Sequence, residues 1–346
     1  MKLNTLRKTI IVPALLACTV PAMISCAGSN KSDSAEANKV ETEAPSDHGK
    51  GGGPKLGMPG FGGPAIDKSG DSTLQAMIKD VVPKFKQLQY TDSESGKTMS
   101  YNLFEPANAD ASKQYPLVMF IADASTPGDN VTLPLTQGYG ALVWATEEWQ
   151  SEHPCYVLVP QFTGVAVDDE YQHTDEVDIA MRLLENVAGS HNVDKSRLYS
   201  TGQSMGGMIS MYYDVAYPDV FAASIFVDSH WDTATFPELV KHKFVYFIAG
   251  ESGKAYADLK PLEEAAEKGD VSYTFAAWDA KLPEARQSEL AGVMLQKGAP
   301  VNIFEFEPNT VLPADGKGSE HMYSFDYAYR IPSVREWMFA QSKSLK

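Results

Sequence analysis

The sequence predicts an α/β protein with a mostly parallel central sheet and helices on both of its faces. Three observations carry that prediction. Short apolar runs alternate with amphipathic stretches from about residue 75 onward, the rhythm of strand–helix units. The runs at 116–122 and 155–159 are continuously apolar, as in strands covered on both faces, and 221–227 and 244–248 read as buried strands as well. No linker-like composition interrupts residues 75–346, so this stretch reads as one domain.

The elements follow in order. Residues 85–90 and 98–104 flank Asp92-Ser93-Glu94-Ser95-Gly96, a strand–turn–strand signal. The run at 116–122 is a strand, and so is 155–159. Between 175 and 188, Val177, Ala180, Met181, Leu184, Val187 and Ala188 recur at helical spacing and mark one apolar helix face. A short strand at 197–201 leads into a helix over 205–217, which Pro218 stops. Strands at 221–227 and 244–248, a helix at 259–268 ended by Gly269, a strand at 301–306 and a closing helix at 333–341 complete the set. Trp144, Trp149, Trp231 and Trp278 are assigned to the core, and Cys155 to a buried, inert position opening its strand.

Composition narrows the function classes. The chain has 346 residues and a formal net charge of −16, from 29 Lys and Arg against 45 Asp and Glu. So acidic a surface repels phosphate backbones, so nucleic acid is not an expected partner. Three cysteines, Cys18, Cys26 and Cys155, support neither a disulfide framework nor a metal-ligand pattern. No metal or other cofactor is expected. The acidic run Asp168-Asp169-Glu170 is assigned to a solvated loop ahead of a helix rather than to a cation site.

The first residues read as an address. Lys2, Arg7 and Lys8 precede an apolar stretch over 10–24, too short to span a bilayer comfortably. It ends in Met23-Ile24-Ser25-Cys26, which resembles a bacterial lipobox and implies a signal peptide over 1–25, cleavage before Cys26 and acylation of that thiol. Several acyl chains on one cysteine hold a protein on a membrane, so the expected location is the bacterial cell envelope, with the soluble domain outside the cytoplasm. Residues 26–74 are rich in Ser, Gly and Pro, lack periodicity and are expected to form a flexible tether.

The chemistry centres on Gly202-Gln203-Ser204-Met205-Gly206. The G-x-S-x-G pattern is weak alone, but here it follows a short apolar strand and opens a helix, the placement a nucleophile elbow requires. Ser204 is therefore the candidate nucleophile. A serine hydroxyl needs a general base within hydrogen-bond reach. Of seven histidines, His48 lies in the tether, His153 and His242 precede buried strands, and His191 ends a helix. His173 and His230 are possible pocket residues. His321, in a Gly/Ser-containing loop after the last strand, stands in the right chain order after Ser204 and is the candidate base. The acid is expected after the strand at 244–248, where Glu251 stands, with Asp232 and Asp258 as alternatives. The oxyanion is expected to meet the backbone N–H of Met205 and a second N–H from Asp123-Ala124-Ser125, represented by Ala124.

Three stretches then give a resemblance: Tyr115-Pro116-Leu117-Val118-Met119-Phe120, the elbow Thr201 to Met208, and His321 with the ending Tyr329-Arg330-Ile331 and Val334-Arg335-Glu336-Trp337. Together they resemble bacterial α/β-hydrolases of the prolyl-oligopeptidase-like, polyhydroxybutyrate depolymerase or feruloyl esterase type, over roughly residues 85–340. The resemblance implies an α/β-hydrolase fold and a serine hydrolase that works through an acyl-enzyme, with Ser204 and His321 matching by position. Two places depart from the pattern. Ala122-Asp123 stands where such enzymes often carry His-Gly, and Gly250-Glu251-Ser252 replaces the familiar aspartate turn. The chain has no room for the large propeller of prolyl oligopeptidases, which favours an esterase acting on a small-molecule or polysaccharide-linked ester. The alternatives are a peptidase and a non-catalytic surface lipoprotein that binds glycan or peptide.

Overall fold

The computed structural model describes residues 55–60, 66–107, 109–250 and 253–344. The leader, Cys26 and Glu251 therefore lie outside the described residues, as does most of the expected tether.

Nine strands form one sheet: β1 Lys86–Thr91, β2 Thr98–Phe104, β3 Tyr115–Ile121, β4 Tyr156–Pro160, β5 Val193–Gln203, β6 Ala223–Val227, β7 Phe244–Ala249, β8 Tyr273–Trp278 and β9 Val301–Phe306. Their order is β1-β2-β4-β3-β5-β6-β7-β9-β8. The β1–β2 and β2–β4 pairs are antiparallel, and every other neighbour is parallel. The helices are α1 Ser72–Val81, the short α2 Leu133–Thr136, α3 Tyr139–Leu142 and α4 Glu147–Glu152, then α5 Asp175–Ser190, α6 Met205–Ala216, the short α7 Phe236–Leu239, α8 Lys254–Lys268, α9 Glu284–Leu295, α10 Glu320–Tyr329 and α11 Pro332–Phe339.

The continuous burial of the central strands has a period-2 logic. In β3, Leu117, Met119 and Ile121 point into one apolar cluster, which also holds Val177 and Leu184 of α5, Ile209 of α6 and Leu259 of α8. Val118 and Phe120 point the other way, into a cluster shared with Leu74 of α1, Ala291 of α9, Phe325 of α10 and Met338 of α11. The expected two-faced cover of the sheet is thus present. Trp144, Trp149, Trp231 and Trp278 are all buried, and so is Cys155, whose thiol burial pushes up to about 12.

Three differences from the sequence reading have local causes. Residues 55–60 and 66–74 are docked rather than tether-like. Gly57 N–H donates to Val165 O at 2.8 Å and Val165 N–H donates to Met58 O at 2.8 Å. Asp71 caps α1 through the Leu74 N–H and accepts from the Tyr139 hydroxyl. Such partners are remote in the chain, so composition alone reads the segment as unstructured. β8 was not anticipated: as an edge strand it leaves Tyr273 and Phe275 only partly buried, and the apolar contrast along it is weak. α10 begins at Glu320, which moves His321 out of the expected loop and into the helix's first turn. The Gly316–Gly318 stretch just ahead of it obscures the helical spacing of Phe325, Ala328 and Tyr329, which are buried.

Candidate active site

Parallel strands whose carboxyl ends share one edge bring their following turns together, and ligands bind at that edge in open α/β sheets. Here it carries the turns after β3, β5, β6 and β7. They line one cleft of about 790 Å³ with the start of α8 and the loop that follows β9.

Ser204 occupies the turn between β5 and α6 with φ 52° and ψ −121°, a backbone conformation a side chain rarely adopts. Holding such a residue costs on the order of 1–3 kcal/mol, which the surrounding structure must supply. The Ser204 N–H donates to Val227 O at 3.0 Å, and the Ser229 hydroxyl donates to Ser204 O at 2.9 Å. The glycines are required by close approach. A Cβ on Gly206 would stand 1.9 Å from the Ile121 carbonyl oxygen, and one on Gly202 would stand 2.3 Å from the Gly206 carbonyl. The elbow therefore closes only without those atoms.

His321 Nε2 lies 2.9 Å from Ser204 Oγ. Its other ring nitrogen, Nδ1, lies 2.5 Å from Asp228 Oδ2. The two expected residues, Ser204 and His321, are thus brought together. The acid differs from the expectation: the carboxylate bonded to His321 is Asp228, not Asp232 or Asp258. Asp228 directly follows β6, is 5% exposed, has φ 43°, and accepts the Ala249 N–H on Oδ1 at 3.0 Å. Asp232 lies four residues further on, where its side chain accepts from Ala234 N–H and caps a short turn. Asp258 is buried in α8 and accepts the Trp231 N–H at 3.0 Å, and burial lifts its carboxyl to about 6. A signal for Asp228 was present in Phe226-Val227-Asp228, a carboxylate closing a buried apolar strand at the same rim as the nucleophile.

Burial works against a charged His321. The hydrogen bond and the negative charge of Asp228, helped by the charge of Asp123, outweigh it and hold the imidazole above its usual 6.5. Met205 begins α6, so its N–H has no intrahelical acceptor. In the turn after β3, Ser125 N–H donates to Asp123 Oδ1 and Thr126 N–H to Asp123 O. Ala124 N–H, between Asp123 and Ser125, has no bond among the described residues. Ala124 and Met205 line the same cleft as Ser204.

The other expected pocket residues separate. His230 lines the cleft, with Nε2 3.0 Å from Asp169 Oδ1. Asp169 in turn pairs with Lys254 at 2.6 Å, so this acid, assigned to a solvated loop, belongs to the cleft wall. His173 instead packs against Tyr212, the rings tilted by 45° with centroids 4.5 Å apart.

No protein-family model matches the chain, and no curated protein matches it. Solved structures do. A thermostable esterase superposes with a TM-score of 0.58 at 24% identity, covering 76% of this chain. The chain spans 64% of the length of that esterase. A mutant of the feruloyl esterase module from Clostridium thermocellum, solved with sinapinate, superposes with a TM-score of 0.52 at 17% identity, covering 84% of this chain and 98% of that one. The chain has the α/β-hydrolase fold.

Proposed function

We propose that this α/β-hydrolase-fold chain is a serine esterase that cleaves carboxylic esters through an acyl-enzyme. The observation that carries the reading is the unbroken relay from Ser204 Oγ through His321 to Asp228, at 2.9 and 2.5 Å. In this reading His321 Nε2 removes the Ser204 proton as Oγ attacks the ester carbonyl. Asp228 keeps the remaining proton on Nδ1 and steadies the imidazolium. The N–H groups of Met205 and Ala124 receive the oxyanion. His321 then gives its proton to the departing alcohol, and a water deprotonated by the same nitrogen releases the acid. Met205, Met208, Met322 and Leu312 line the cleft and suit an apolar portion of the ester.

The substrate is read as a small-molecule or polysaccharide-linked ester, and the chain as a lipoprotein held at the cell envelope through Cys26. The fluorophosphonate reaction of the full-length chain tests the chemistry. Wild type is expected to label and Ser204→Ala to remain unlabelled. An unlabelled wild type favours the non-catalytic binding reading. Comparing p-nitrophenyl esters with aminoacyl-proline amides decides between esterase and peptidase. Loss of membrane fractionation in Cys26→Ser is the expected result for the anchor, and unchanged fractionation removes it.

A further inference from the structure

Asp123 is a buried acid that the relay does not use. It stands two residues after the end of β3, where enzymes of similar fold often carry His-Gly, and is 2% exposed. Its carboxylate bonds to the turn that presents Ala124, to the residue before Ser204, and to Gln137. Oδ1 accepts the Ser125 N–H at 2.7 Å, inside the turn that presents Ala124. Oδ2 accepts the Gln203 side-chain amide at 3.3 Å, from the residue directly before Ser204. Oδ2 also accepts the Gln137 amide, which donates in addition to Ser125 Oγ at 3.1 Å. One carboxylate thus ties the end of β5 to the turn after β3 and occupies the Ser125 N–H.

We propose that Asp123 is a positioning residue, one that fixes the Ala124 N–H opposite the Met205 N–H and places a second negative charge behind His321. The proposal rests on the serine-hydrolase reading of the site. Its geometry explains how the turn works without the His-Gly pair: a buried acceptor organises the turn from within by taking up the competing donors. A carboxylate at this place also acts on the base. Asp228 and Asp123 both favour the imidazolium of His321, whereas His230, bonded to Asp169 and held below its usual range by burial and the Lys254 charge, is the other titratable ring that faces it.

Asp123→Asn separates this role from simple packing. The Gln137 Oε1 is buried without a partner among the described residues, so a turn of that amide lets it accept from the new Nδ2, and the variant is expected to fold. Histidine NMR titration of the full-length chain is expected to show the His321 midpoint falling in Asp123→Asn relative to wild type. With a p-nitrophenyl ester, kcat is expected to fall on the order of 10²-fold with KM within about threefold, because a donor is displaced only where charge develops. Asp123→Glu keeps the charge while displacing the oxygens, so it is expected to retain the wild-type midpoint yet lose kcat. A His321 midpoint and kcat unchanged in Asp123→Asn overturn the proposal. If Asp123→Asn does not fold, Gln203→Leu, which cuts the tie to the elbow alone, is expected to lower kcat without moving KM, and an unchanged kcat there overturns it equally. A wild-type chain without esterase activity defeats the hydrolase reading, whereas the NMR midpoint still judges the Asp123 charge.

Discussion

Replacing Asp228 by asparagine probes the relay with little change of shape. The aspartate accepts twice, from Ala249 N–H at 3.0 Å and at His321 Nδ1 at 2.5 Å. An asparagine keeps its oxygen on Ala249, which turns its Nδ2 donor toward His321. Nδ1 must then present a lone pair, and the ring proton moves to Nε2, facing Ser204 Oγ at 2.9 Å. A nitrogen that carries its proton cannot take another, so the base is lost in the prevailing tautomer. In serine-protease triads the same exchange lowers kcat about 10⁴-fold, near 5.5 kcal/mol of barrier. The His321 side chain is 39% exposed, so solvent screens part of the lost charge. That sets the expectation at about 10³- to 10⁴-fold in kcat, or roughly 4–5.5 kcal/mol. The assay is stopped-flow hydrolysis of a p-nitrophenyl ester, with the burst counting competent Ser204. Asp232→Asn and Asp258→Asn serve as controls and are expected to stay within about threefold of wild type. An Asp228→Asn enzyme that keeps more than a tenth of wild-type kcat, or a control that falls further than it does, refutes the reasoning.

Four other outcomes follow from the same structure. Only neutral His321 can act as base, and its environment raises it above 6.5, so kcat/KM is expected to climb with pH through a midpoint above 6.5; a lower midpoint in the pH profile contradicts this. The linked stability has the opposite sense: the His321–Asp228 pair contributes fully below 6.5, and that contribution fades as pH rises through the elevated midpoint, which denaturation across pH reads directly. Gly206→Ala forces a methyl group against the Ile121 carbonyl oxygen, so a loss of roughly 3 kcal/mol or more in urea melts is expected, and wild-type stability argues against the tight elbow. Asp214 of α6 is buried, and burial lifts its carboxyl from 3.8 to about 8, so the folded state holds a proton that the unfolded chain releases. Stability is therefore expected to decline from pH 4 to 8 through this group, and Asp214→Asn to be the more stable protein at pH 8 by roughly 1–3 kcal/mol, with little difference at pH 4.

The sheet and the elbow were legible because their signals are local. Continuous burial of β3 and β7 writes itself as unbroken apolar runs, and a strand–turn–helix with glycines beside Ser204 is a steric demand that neighbouring residues alone express. His321 was legible too, because its chain order after Ser204 narrows seven candidates. The acid was not. Choosing among Asp228, Asp232, Glu251 and Asp258 requires knowing which turn at the rim lies opposite His321 Nδ1, and that depends on strand order and on where α10 begins. Docking of residues 55–60 was hidden for the same reason, since its partners Val165 and Pro127 are distant in the chain. The role of Asp123 likewise emerges only when the ends of β3 and β5 meet around one carboxylate. Local sequence determines which segments bury their faces and where the backbone must bend sharply. The meeting of side chains across several strand ends is settled by the tertiary structure, because hydrogen bonds depend on distance in space and leave no periodic trace along the chain.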